Sequence, residues 1–106
     1  MVAANPAQAE ADDASTAYAT CVDKAAAAVD LSAAEPGTLA DLAMKSCIEA
    51  RGNAVAKLAA AQQAAGKDAP TAALVAERSM RLADSQLRDH ANTAIVTRKL
   101  SDKKAV

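Results

Sequence analysis

Three observations predict an all-α fold: an alanine-dominated composition, apolar residues recurring every three or four positions, and two interruptions marked by Pro and Gly. Of 106 residues 52% are apolar, yet only 17 are Val, Ile or Leu, and Tyr18 is the sole aromatic. Ala is the strongest helix former because it loses no side-chain entropy on folding. Burying its methyl stabilises much less than burying a Leu or Phe, which contributes roughly 1.5–3 kcal/mol. The predicted core is therefore thin and calls for a crosslink or a second subunit. A chain of this length makes one domain. The expected architecture is a three-helix up-down-up antiparallel bundle whose helices 1 and 2 form a disulfide-stapled hairpin. Residues 12–100 should form the domain, with 1–11 a disordered tail or signal-peptide remnant and 101–106 a frayed C-terminus.

The first helix is expected over about 13–29 or 13–31, with Asp12, Asp13 and Ser15 supplying oxygens or charge to its unpaired first-turn amides. Ala14, Tyr18, Cys21, Ala25 and Ala28 step by four and three, which places them on one face with Cys21 at its centre. Tyr18 should cover the cysteine and send its hydroxyl outward. The run AEPG then breaks the helix, since Pro36 disfavours helical backbone at Glu35. Thr38 and Asp41 read as a capping box opening a second helix over about 39–64. Its stripe is Ala43, Cys47, Ala50, Ala54, Leu58 and Ala61, and Gly52-Asn53 is where a kink is expected. Gly66 should cap its end.

The third helix opens near Pro70 and runs to Lys99 or Leu100. Ala73, Ala76, Met80, Ala83, Leu87, Ala91 and Ala94 are expected on one face, widened by Leu74, Val75, Leu82, Ile95 and Val96. At about 30 residues and 1.5 Å per residue it outreaches the first helix by a wide margin. Its uncovered surface around Leu74, Leu82, Ile95 and Val96 is the expected interaction face, suited to a second copy or another protein.

Cys21 and Cys47, the two cysteines of the chain, are each thirteen residues from residue 34, at the bend between the first two helices. In an antiparallel hairpin such positions oppose each other, and both cysteines already belong to the apolar stripes. A disulfide needs Cα atoms about 4.4–6.8 Å apart, which closely packed Ala-lined helices supply. The rival readings are two buried thiols, or a redox- or metal-responsive protein drawing in His90. That set offers three ligands where structural zinc takes four, so no cofactor is expected. A disulfide implies an oxidising compartment, and Ala7 and Ala9 before Glu10 resemble the end of an export signal. The expected location is periplasmic or secreted.

Charge is uneven although the net is −1. Residues 1–50 carry eight acids against two bases, and residues 51–106 carry ten bases against five acids. Acidic and basic helices should attract each other within the fold or across a dimer. Nucleic acid is an unpromising partner, because there is no aromatic stacking platform and the bases are interleaved with acids. No apolar run reaches the ~20 residues of a membrane span. One histidine, three scattered glycines and no G-x-S-x-G leave no recognisable hydrolytic triad or phosphate loop.

Tyr18-x-x-Cys21-Val22, Pro36, LADLAMKSC and the late basic TAIVTRK, spanning about 15–100, resemble small Ala-rich helical proteins that proteobacteria export to the periplasm. The resemblance implies export and a disulfide and brings no activity and no ligand. The expected function is that of a non-catalytic envelope protein acting through protein–protein interaction or self-association. The alternatives are the redox- or metal-responsive protein and a helical carrier of a small apolar ligand.

Overall fold

Asn5 opens the first helix: its side-chain oxygen accepts the Ala7 amide at 3.0 Å, and Pro6, whose missing N–H would be unpaired there anyway, takes the first helical position. The computed structural model describes residues 5–104. Helix α1 spans Pro6–Ala28, α2 Pro36–Ser46, α3 Ile48–Ala64 and α4 Ala69–Lys104. The described residues are all-helical and form four helices where three were expected. The stretch read as one second helix is divided at Cys47.

The expected tail is corrected in part. Residues 6–11 are the first turns of α1, and Ala11 is fully buried; residues 1–4 lie outside the described set. At the other end α4 continues through residues 101–104, and residues 105–106 lie outside. Pro36 does not stand in the loop but opens α2 at its first position, with Glu35 extended before it. The Thr38–Asp41 capping box consequently does not form; both residues are inside the helix, and Asp41 turns to Arg88. Gly52 and Asn53 lie within α3 and make no break.

The break falls at Cys47, which leaves helical backbone at φ −109° and ψ 21°. Its amide reaches back three residues to the Met44 carbonyl at 3.1 Å. The Ser46 hydroxyl donates instead to the Ala43 carbonyl at 2.7 Å, the acceptor Cys47 would use in an unbroken helix. A serine bonding back onto its own helix in this way bends it.

The other turns follow from local chemistry. Asp30 accepts both the amide and the hydroxyl of Ser32 in the first loop. After α3, Gly66 adopts φ 101°, its amide bonds to Gln63 and the Lys67 amide to Gln62. This is the Schellman arrangement, which needs a residue without a Cβ penalty at positive φ. Asp68 then accepts the Thr71 amide at 2.8 Å to cap α4.

Cross-helix pairs give the direction of the rods. Cys21 meets Cys47 and Glu10 meets Lys57, so α1 runs antiparallel to the α2–α3 segment. Arg51 meets Asp84 and Asp41 meets Arg88, so α4 runs back along both α3 and α2. Arg98 near the end of α4 donates to the Ala26 and Val29 carbonyls at 2.6 and 3.3 Å, and Lys99 donates to the Ala34 carbonyl. Arg98 thus satisfies carbonyls that α1 cannot pair at its C-terminal end, and Lys99 ties the loop that follows to α4. The molecule is drawn out to 57 × 29 × 17 Å, its long dimension close to the ~54 Å of a 36-residue helix.

Tyr18, Leu39, Met80, Ile95, Val22 and Cys47 are the largest fully buried side chains, and alanines fill the rest of the core. On α1 the buried stripe is Ala11, Ala14, Tyr18, Val22 and Ala26. Ala28 is exposed, and Ala25 and Cys21 are half-buried. Cys21 therefore stands at the edge of the stripe, roughly 80° from its centre at 3.6 residues per turn. Both α3 and α4 pack on α1, and its core face is turned to lie between them.

Candidate functional site

The staple fixes α1 against the junction of α2 and α3 beside the site. Cys21 and Cys47 are bonded with their Cα atoms 5.9 Å apart, and Cys47 is buried. Tyr18 lies one turn before Cys21 and is 1% exposed. The expectation that its hydroxyl points outward is wrong: it donates to an Asp84 carboxylate oxygen of α4 at 2.6 Å. A buried tyrosine retains a polar tip that needs a partner, and α4 covers the side of α1 that a two-helix hairpin would leave open.

Asp84 is shared. The Arg51 Nε donates to both of its oxygens at 3.0 and 2.9 Å, while Arg51 Nη2 donates to Glu77 at 3.0 Å. The result is a four-residue network, Tyr18–Asp84–Arg51–Glu77, joining α1, α3 and α4. Burial, and then the Asp84 carboxylate beside it, push the Tyr18 phenol well above its ordinary range. Hydrogen bonds to Asp84 and Glu77 push the Arg51 guanidinium up, so its charge is permanent. About one turn further along α4, Arg88 donates to Asp41 of α2 at 2.6 Å. That bond holds the Asp41 carboxyl below its usual value.

Between these two clamps the α2–α3 segment and α4 do not close. A groove of about 490 Å³ remains, with Tyr18, Met44 and Ile48 as its apolar surface and Asp41, Lys45, Arg51, Asp84, Ser85 and Arg88 around it. Ile48 is 66% exposed although it belongs to the apolar set. Lys45, in the last turn of α2, has no ion-pair or hydrogen-bond partner among the described residues. A second recess of about 620 Å³ lies along α1 at Ala17, Thr20, Cys21, Lys24 and Ala25. It is larger and equally open, but it lacks the carboxylates and guanidinium groups that converge on the groove.

The sequence-predicted residues fall in three places. Cys21 and Cys47 form the disulfide. Leu74, Leu82 and Val96 are exposed on the outer side of α4, and Leu100 joins them. Ile95 does not: it is fully buried in the core, one residue round from Val96. His90 is exposed on the edge of α4, with its Nε2 3.4 Å from Asp23. In the oxidised pair neither sulfur is a thiolate, so Cys21, Cys47 and His90 do not make a ligand set in this state.

The network was missed because its members read singly as surface charges. Glu77–Arg81 and Asp84–Arg88 look like helix-surface pairs at i, i+4. Arg81 does approach Glu77, at 4.0 Å. Asp84 and Arg88, however, turn to other helices. The available signal was Tyr18 itself, a single phenol on a buried stripe that had to find an acceptor. No family model, curated protein or solved structure matches the chain.

Proposed function

We propose that this is a non-catalytic, extracytoplasmic helical protein that works by association, with a second copy of itself as the partner. The observation that carries the reading is the outward side of α4. Leu74, Leu82, Val96 and Leu100 are 52, 63, 37 and 55% exposed, and at 100° per residue all four fall within about 80° of one another, opposite the buried Ala76–Met80 side. A core built from alanine methyls gains little from further internal packing, whereas pairing two such faces buries leucines. The disulfide, and the fact that no helix among the described residues is long and apolar enough to cross a membrane, are compatible with an extracytoplasmic location.

The non-catalytic reading is supported by the way the charged cluster neutralises itself. Arg51 is committed to Asp84 and Glu77, Arg88 to Asp41, and the Tyr18 proton to Asp84. A general base or nucleophile needs a group poised to exchange a proton near neutral pH, and these pairings move the phenol and guanidinium away from it. Sedimentation velocity over a hundredfold concentration range tests the association. The expected result is a mass that rises toward the dimer and that Leu82→Asp returns to the monomer. A strictly monomeric wild-type chain at the highest concentration overturns the reading.

A further inference from the structure

The groove between the two clamps has a size, a polarity and a charge that the association of α4 faces does not use. We propose that it is a binding site for a medium-chain fatty acid, the acyl chain lying on Met44 and Ile48 over the buried Tyr18 ring and the carboxylate held by Lys45.

Its volume of about 490 Å³ is within the roughly 300–1,000 Å³ of ordinary small-ligand sites. Its apolar surface is made where the fold leaves it bare. Met44 is half-buried and Ile48 mostly exposed, on either side of the break at Cys47. Because the clamps Arg88–Asp41 and Arg51–Asp84 tie α4 to α2 and to α3 separately, the gap between them is held open rather than collapsible. An exposed isoleucine beside a permanent recess is what an acyl chain covers with gain.

The charge selects the head group. Every carboxylate around the groove is already paired: Asp41 with Arg88, and Asp84 with Arg51 and Tyr18. A cationic ligand would find no acid to join without displacing an arginine. Lys45 is the lining cation without a partner among the described residues, and it can donate three hydrogen bonds. The start of α3 at Ile48 adds little to this, because Glu49 already places an acid in its first turn, so Lys45 alone carries the preference for an anion. An anion with an apolar tail therefore satisfies both halves of the site, while a neutral alcohol satisfies one.

Methyl-resolved NMR on the full oxidised chain tests this, with octanoate, octanol and octylammonium titrated separately and the Met44 and Ile48 methyls followed. Octanoate should shift both saturably, and octanol should bind at least about fivefold more weakly, the scale of one charge-assisted contact. Octylammonium should bind more weakly still. Lys45→Gln should remove the preference of octanoate over octanol, Ile48→Asp should abolish both, and Leu100→Asp, about three turns beyond Arg88 along α4, should change neither. Equal affinity for octanoate and octanol, or an unaltered preference in Lys45→Gln, refutes carboxylate recognition. Absence of saturable shifts with any of the three refutes the groove as a ligand site. Both results leave the sedimentation test of α4 association independent.

Discussion

Reducing the Cys21–Cys47 bond should cost the protein a large share of its stability. Chemical reduction is a cleaner perturbation than substitution, because every side-chain atom stays and no hydroxyl is placed in the buried Cys47 site. The cysteines are 26 residues apart in sequence. In the chain-entropy model a loop of that length restricts the unfolded ensemble by roughly 12 cal/mol/K, or about 3.5 kcal/mol at 25 °C. Small domains are stable by about 5–15 kcal/mol in total, and an alanine core belongs near the lower end. With an unfolding entropy of about 2.1 cal/mol/K per residue, 106 residues convert that loss to a fall in melting temperature of about 16 °C. Far-UV circular dichroism melts of oxidised protein and of protein reduced and held under excess dithiol give the number directly. A fall smaller than about 5 °C would show that the helices hold each other without the staple, and the claim that a thin core needs it would be wrong.

Two titrations test the site. Because the Tyr18 phenol is raised above its ordinary value of 10.0, its contribution is complete below pH 10 and is lost as pH rises beyond it. Native protein should therefore show no phenolate absorbance between about pH 10 and 11 until it unfolds, and a normal titration in the folded state would contradict the Asp84 contact. Tyr18→Phe should destabilise by about 1.5 kcal/mol in urea denaturation, at the low end for a bond to a charged acceptor since Arg51 still holds Asp84. Asp41 is depressed below its ordinary 3.8, so its contribution is present above that value and disappears as pH falls through and below it. Arg88→Gln should lower stability at pH 7 and flatten the acid limb below pH 4; an acid limb unchanged from wild type would show the Asp41 pair to be idle.

What could be read from the chain was what depends on neighbours in sequence or on symmetry about a bend. The cysteine pairing followed from equal distances to residue 34; of the α2–α3 stripe, Ala43, Cys47, Ala54 and Ala61 are buried, while Ala50 and Leu58 are half-buried. The second fold-back was also legible: Arg51 meets Asp84 across a turn near residue 68. What failed depended on the third rod. The stripe on α1 passes through Val22 and Ala26, not Ala25 and Ala28, because α4 as well as α3 must be faced. Ile95 and Val96 do not share the outer face expected for both, because consecutive helical positions are about 100° apart and Ile95 turns into the core. The start of α1 was missed by underrating Asn5-Pro6, a side-chain cap followed by a first-turn proline.

The division of the second rod at Cys47 is harder to see from sequence, and it ties the staple to the groove. Nothing in MKSCIEA is a strong helix breaker, and the buried positions Ala43, Cys47 and Ala54 would share one face even in an unbroken helix. The break is therefore not needed to bury the core. It is a local choice made at Ser46, whose hydroxyl takes the Ala43 carbonyl while the Cys47 amide settles on Met44. Its consequences fall on the opposite side of the chain from the disulfide. There the last turn of α2 presents Lys45 and the first turn of α3 presents Ile48, Lys45 without an ion-pair partner among the described residues and Ile48 mostly exposed. One covalent tie thus holds the inner side of this junction against α1 while its outer side stays open between two ion pairs. A junction fixed on one side and vacant on the other is how a protein with so little large apolar surface can keep a recess from collapsing.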